Sequence, residues 1–279
     1  MPKIYGVLGF PVKHSFSPAM HNAAFQKLQI DAEYKLFEKN PEELDNFIKT
    51  LADNNIHGLN ITVPYKEKVI AYLTSLSPEA EFIGAVNTIK AEAGKLTGFN
   101  TDGEGFIRHL TSDMRFDPRN KKVAMLGCGG AAKAVSAYLA FAGIQSLAVY
   151  DLDSSRCETL LSRLRNKFPK IKFSCASSVE ELNIKQAQLL VNATPVGMKQ
   201  DDPCLVALEM IYPELYVYDL IYNPAQTKLL ELARKKKAAA LNGLGMLLYQ
   251  GAKSFEIFTG KIAPIDVMRD ALNNAIAKG

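Results

Sequence analysis

The sequence predicts an α/β protein built from two domains, the first with a mostly parallel sheet and the second doubly wound. Three observations predict it. Strand-like apolar runs alternate with helical patterns along most of the 279 residues; a glycine-rich turn, "GCGGAA", joins a strand to a helix near the middle; and the polar segment "TSDMRFDPRNKK", residues 111–122, separates two such series. Alternation of this kind calls for parallel pairing with right-handed crossovers.

In chain order, "KIYGVLGF" reads as a buried strand. "SPAMHNAAFQKLQ" reads as a helix with Ser17 at the N-cap and Pro18 at the first helical position, where a fixed φ and a missing donor cost nothing. "AEYKLF" is the next strand, and "NPEELDNFIKTLADNN" a helix in which Asn40 caps and Glu43 completes a capping box. "IHGLNIT" is a strand, "YKEKVIAYLTSL" a helix, and "GAVNTIKAEAGKLTGFN" two strands joined near Ala93 and Gly94. Beyond the polar linker, "KVAMLG", "QSLAVYD", "KIKFSC", "AQLLVNAT" and "ELYVYDLIY" read as strands, with helices at "GAAKAVSAYLAFAG" and "SSRCETLLSRLRNKF". From about Gly243 the pattern is helical again. The expected domains are residues 1–103 with 243–279, and residues 104–242.

Composition narrows the function. The formal charge is +4 and the only basic block, "RKKK" at 234–237, falls at the end of a helical pattern, where cations complement the helix dipole. A nucleic-acid role is therefore not expected, whereas small anionic substrates are. Cys128, Cys157, Cys175 and Cys204 lack paired spacing, and His14, His21, His57 and His109 lack metal-ligand spacing, so neither a disulfide framework nor a metal is expected. No stretch reads as a membrane span or export signal, which predicts a cytoplasmic protein.

The turn "GCGGAA" follows the G-x-G-x-x-G/A pattern, with Ala132 third. Gly127 permits a sharp turn, Gly129 lets backbone approach a pyrophosphate, and Gly130 and Ala131 open a helix whose free N–H groups face phosphate oxygens. The second domain is thus expected to be a Rossmann-type dinucleotide-binding domain. Asp151 ends the following strand, about 20 residues on, where a carboxylate accepts from ribose hydroxyls and repels a 2′-phosphate. Asp153 adds to that repulsion. Arg156 reads equally as a phosphate contact or a solvated helix residue. NAD is the expected cofactor, with NADP the other form.

Three polar clusters, "KHSFSP" with Ser15 and Ser17, "GAVNT" with Asn87, and "GFNTDGEG" with Asp102, end predicted strands, as does "NITVPYK" with Lys66. Each has a structural account as a cap or turn. Together they supply groups suited to a polyhydroxylated small molecule and a Lys–Asp pair suited to proton transfer.

The ordered segments "HSFSP", "NITVPYK", "GAVNT", "GFNTDGEGF", "GCGGAA", "NATPVGM", "YDLIYNP" and "LYQGAKSFEIFTG" resemble the shikimate/quinate dehydrogenase family over essentially the whole chain. The resemblance implies reversible reduction of 3-dehydroshikimate to shikimate, a step toward aromatic amino acids, and in some relatives oxidation of quinate. It implies that the first domain binds substrate: Ser15 and Ser17 at the carboxylate, Asn60, Thr62, Asn87, Asp102 and Gln250 at ring hydroxyls, and Lys66 with Asp102 as the catalytic pair. Tyr222 would reach the substrate from the cofactor domain. Thr194 and Val196 would line the nicotinamide ribose, and Leu220, Gly243 and Met246 the nicotinamide. One departure stands out. Where NADP-using members carry Asn-Arg-Thr, this chain has Asp151, Leu152 and Asp153, which resembles the NAD-dependent, often quinate-accepting branch. The alternatives are an NADP-dependent biosynthetic enzyme and a non-catalytic NAD/shikimate sensor, the latter at odds with retention of Lys66 and Asp102. An interdomain site that closes on its ligands, in a monomer or homodimer, completes the expectation.

Overall fold

The computed structural model describes residues 1–278. The chain forms two compact units, Met1–Gly105 with Leu247–Gly279, and Phe106–Met246. The first contains β1 (Lys3–Gly9), α1 (Ser17–Lys27), β2 (Ala32–Glu38), α2 (Leu44–Lys49), β3 (Ile56–Ile61), β4 (Ser75–Leu76), α3 (Pro78–Ile83), β5 (Thr88–Glu92) and β6 (Lys95–Phe99). Its six strands lie in the order β2-β1-β3-β5-β6-β4. β1 pairs in parallel with β2 and β3, whereas β5 is antiparallel to β3 and β6. The β5–β6 hairpin turns at Ala93 (φ 50°) and Gly94 (φ 73°), the twist-compatible turn expected there. Leu8, Leu59, Ile61, Tyr65, Val69 and Ile89 form the centre of one apolar cluster in this unit.

α4 (Asp102–Ser112) leads into the second unit, which holds β7 (Lys122–Leu126), α5 (Gly130–Phe141), β8 (Ser146–Tyr150), α6 (Ser154–Lys167), β9 (Lys172–Cys175), β10 (Leu189–Asn192), β11 (Tyr216–Asp219), α7 (Lys228–Lys235) and β12 (Ala239–Leu241). α8 (Leu244–Thr259) and α9 (Ile265–Ile276) complete the chain. The second sheet runs β9-β8-β7-β10-β11-β12, all parallel. Strand order therefore reverses between β7 and β10, and the loops after those strands hold "GCGG" and "NATPVGM". In open α/β sheets ligands bind at that crevice, outside the carboxyl ends of the strands.

Five local expectations need correction. The segment 65–76 is not an α-helix: the Lys66 carbonyl accepts the Val86 N–H at 2.7 Å, so Ile70 turns to Glu67 and only a short 3₁₀ stretch, Lys68–Tyr72, forms before β4. Ser17 is not the cap of α1. Phe16 holds that position, and the Ser17 N–H donates to Ser15 Oγ at 3.3 Å. The Asn40–Glu43 capping box is present, with the Glu43 N–H on Asn40 Oδ1 at 3.0 Å and the Asn40 N–H on Glu43 Oε2 at 2.9 Å, yet regular helix starts only at Leu44. The polar segment 111–122 is no boundary, because it ends α4 and buries Met114 and Phe116, the latter's ring 4.8 Å from that of Tyr216 and tilted against it. β12 was not expected, since three residues of "AAAL" carry no alternation to read.

Candidate active site

Three loops of the first unit converge on one ion pair. Lys66 follows β3, and its backbone is fixed by the Val86 bond just described. Asp102 opens α4 after β6, its own N–H accepted by Asn100 Oδ1 at 3.1 Å. Lys66 Nζ donates to Asp102 Oδ2 at 2.6 Å, with 17% of the lysine side chain and 7% of the aspartate exposed. The pair is therefore largely desolvated yet reachable from one side.

Asn87, between α3 and β5, orients the other carboxylate oxygen. The Thr101 N–H donates to Asn87 Oδ1 at 2.8 Å, and because a backbone amide can only donate, Asn87 Nδ2 must face Asp102 Oδ1, at 2.8 Å, and Thr101 Oγ1, at 2.9 Å. Gln250 of α8 places Oε1 3.4 Å from Asn87 Nδ2. It comes this close because Gly105 faces its backbone, where a Cβ would lie 2.7 Å from the Gln250 nitrogen. Sequence reasoning thus brought Lys66, Asp102, Asn87 and Gln250 into one group, and the structure brings them together.

The remaining first-unit candidates differ in kind. Ser15 and Ser17 are paired, Oγ to Oγ, at 3.2 Å. Thr62 lies just past β3, half-buried, its N–H on the Leu8 carbonyl at 2.9 Å. Asn60 is buried and bonded on every side within the protein: Tyr34 donates to its Oδ1 at 2.7 Å, while its Nδ2 reaches Ser254 Oγ at 2.8 Å and Thr88 Oγ1 at 3.0 Å. Tyr34 and Ser254 escaped sequence reasoning, since a lone hydroxyl in an apolar pattern gives no signal of what it meets, and Thr88 and Thr101, although inside "GAVNT" and "GFNTDGEG", were not singled out there.

The second unit carries the cofactor candidates. Gly127 has φ 96°, and a Cβ there would meet the Ala193 carbonyl at 2.9 Å. Gly129 is different: its backbone is ordinary (φ −71°), and a Cβ would meet nothing within 4 Å. Open space over Gly129, beside the uncapped start of α5 at Gly130 and Ala131, fits a bound pyrophosphate. Asp151 is not simply a free acceptor, as it takes the Cys128 N–H at 2.7 Å and the Asp153 N–H at 3.0 Å. Lone pairs remain on both oxygens for a ribose hydroxyl. Asp153 caps α6 through the Ser155 N–H, and exposed Arg156 approaches it at 3.9 Å.

The loop after β10 is held by a buried network. Thr194 donates from N and Oγ1 to Asn192 Oδ1 at 3.1 and 2.7 Å, and the Val196 N–H returns to Thr194 Oγ1 at 3.2 Å. Asn192 Nδ2 donates to Asp219 Oδ1 at 3.0 Å, and Thr227 donates to Asp219 Oδ2 at 2.6 Å. Burial pushes the Asp219 carboxyl up from its ordinary range against those bonds. Leu220 and Gly243 meet so closely that a Cβ on Gly243 would lie 2.0 Å from the Leu220 carbonyl oxygen. Met246 is buried at the start of α8. Tyr222, beyond β11, has its phenol pushed up by burial.

Comparison with known proteins agrees with this architecture. Residues 7–89 match the family described as "Shikimate dehydrogenase substrate binding domain", and residues 243–272 that described as "Shikimate 5'-dehydrogenase C-terminal domain". A relative from Methanopyrus kandleri, named shikimate dehydrogenase (NADP(+)), is 45% identical over 96% of this chain and 94% of its own. Among solved structures, a shikimate dehydrogenase in complex with NADP+ superposes with a TM-score of 0.91 at 38% identity, covering 99% of this chain and 96% of its own. The Listeria monocytogenes shikimate 5-dehydrogenase, in complex with shikimate and NAD, gives 0.88 at 37% identity, covering 97% and 96%. The chain belongs to the shikimate dehydrogenase family of nicotinamide-dependent oxidoreductases.

Proposed function

We propose that this protein interconverts shikimate and 3-dehydroshikimate, with substrate held by the first unit and the dinucleotide by the second. The observation that carries the reading is the 2.6 Å contact between Lys66 and Asp102, desolvated and oriented by Asn87. A bound nicotinamide supplies or takes the hydride. The chain's own residues manage the proton and the geometry. During ketone reduction the carbonyl oxygen gains negative charge, and the Lys66 ammonium donates a proton to it; in the alcohol direction neutral Lys66 takes the hydroxyl proton. Asp102 holds Lys66 in one rotamer and accepts from a ring hydroxyl, while Asn87 and Gln250 bond further hydroxyls. Ser15 and Ser17 donate to the substrate carboxylate, and Thr62, just past β3, bonds a ring hydroxyl.

For the cofactor, we propose NAD over NADP, although the relatives' names point to NADP. Asp151 and Asp153 follow β8, where carboxylates favour ribose hydroxyls and repel a 2′-phosphate, and between them stands Leu152, an exposed apolar residue in place of a phosphate-binding arginine. Quinate shares the carboxylate and ring-hydroxyl pattern of shikimate and is the second proposed alcohol. Initial rates of NAD+ and NADP+ reduction with shikimate and with quinate test all of this together. NAD+ reduction with shikimate at a higher kcat/KM than NADP+ is expected. A higher kcat/KM with NADP+ refutes the cofactor assignment, and no turnover with any pair refutes the enzymatic one.

A further inference from the structure

We propose that Tyr34 and Thr88 are positioning residues in a hydrogen-bond relay that runs through the buried interior of the first unit, from Tyr34 to Asp102, and sets the orientation of the catalytic pair. The inference rests on the reaction just proposed. The polarity of the relay follows from its chemistry, starting at the buried Tyr34 hydroxyl. Tyr34 Oη donates to Asn60 Oδ1 at 2.7 Å, which leaves Asn60 only its Nδ2 protons to give onward, one of them to Thr88 Oγ1 at 3.0 Å. Thr88 Oγ1 donates to Asn87 Oδ1 at 3.0 Å, and Asn87 Nδ2 to Asp102 Oδ1 at 2.8 Å.

Every bond points the same way, toward the carboxylate that holds Lys66. Chains of uniform polarity strengthen one another in a dry interior, and a carboxylate at the accepting end fixes the direction. The surroundings leave little freedom. Tyr34 and Thr88 are buried, Tyr34 lies stacked on His21 at 4.2 Å, and Ser254 braces the middle, 2.8 Å from Thr88 Oγ1 and from Asn60 Nδ2, while its own hydroxyl donates to the Gln250 carbonyl at 2.9 Å. None of Tyr34, Asn60 or Thr88 needs to touch substrate to act. Their loss would leave Asn87 Oδ1 held by Thr101 alone, loosening Asn87 and with it the Asp102 carboxylate.

The test uses Tyr34→Phe, Thr88→Val, the double variant and Thr88→Ser in the full chain, with steady-state kinetics on shikimate and thermal melting of each. Tyr34→Phe and Thr88→Val should each lower kcat about tenfold, with KM for shikimate changed by less than about twofold. The two residues do not bond each other, so cutting the same relay twice should cost no more than the worse single cut, whereas independent packing defects would multiply. Thr88→Ser keeps the hydroxyl and loses only a buried methyl, and should retain kcat even where its melting temperature falls. Multiplicative loss in the double variant, or a Thr88→Ser variant as slow as Thr88→Val, overturns the relay. A wild-type chain that turns over shikimate with neither cofactor overturns the underlying function, and the relay with it.

Discussion

Lys66 is a residue whose neighbours decide its role. An isolated lysine beyond a proline is ordinarily solvated, but this one is desolvated and bonded to a carboxylate that Asn87 holds in place. Lys66→Ala should therefore lower kcat by about 10²-fold or more, the usual scale for a lost acid–base group, while shikimate affinity measured by calorimetry changes only a few-fold. Loss of affinity in step with kcat would instead make Lys66 a binding group. Leu152 gives the complementary case in the second unit. It is 93% exposed and makes no packing contribution that arginine would remove, so Leu152→Arg should leave the melting temperature unchanged and improve kcat/KM for NADP+ relative to NAD+ by about tenfold. An unchanged cofactor ratio would mean the 2′-position of the ribose does not lie over this residue. The polar members of the site were legible because unusual residues in short ordered segments mark it. The hydroxyls of Thr88, Thr101 and Ser254 were not, since their partners come from strands and helices up to 194 residues away in sequence, as in Asn60–Ser254.

Within elements, the two glycines of the β7–α5 turn make opposite predictions. Gly127 needs its positive φ and has the Ala193 carbonyl against it, so Gly127→Ala should destabilise the fold by about 1–3 kcal/mol, read by urea unfolding. Gly129 has an unstrained backbone and open space, so Gly129→Val should fold with little change in stability yet lose dinucleotide affinity about tenfold or more by calorimetry, because the side chain fills the ligand's space. Equal affinity in Gly129→Val would remove the pyrophosphate from this turn. Elements whose periodicity and local bonds agree, such as β1, α5 and the β5–β6 hairpin, could be read from sequence. The 65–76 segment could not: its spacing suits a helix, but a carbonyl captured by Val86 from outside the segment breaks the ladder, and the Tyr65 hydroxyl, bonded to the Lys39 carbonyl at 2.6 Å, pins the turn.

At the scale of the whole molecule, acid stability should depend on a side chain remote from the chemistry of the Lys66–Asp102 pair. His21 of α1 is fully buried against Tyr34, Phe25, Phe255 and Phe258, and neither ring nitrogen has a hydrogen-bond partner. Burial without a partner drives its pKa down to about 3. In the unfolded chain the same imidazole titrates near ~6.5. Between those values the unfolded state holds a proton that the folded state refuses, so folding stability from this group is complete above about pH 6.5 and falls as pH drops toward 3, by up to ~1.4 kcal/mol per unit. The carboxyl of Asp219, raised by burial, works in the opposite sense, since protonation favours the folded state there. Comparing wild type with His21→Phe isolates the histidine from every other titrating group. Urea unfolding at pH 7.0, 6.0, 5.0 and 4.5 should give a difference in stability that moves steadily in favour of His21→Phe as pH falls, whatever its value at pH 7. Parallel stability curves for the two proteins across that range would mean that His21 is protonated in the folded state, with a partner for its charge that a buried aromatic cluster does not offer.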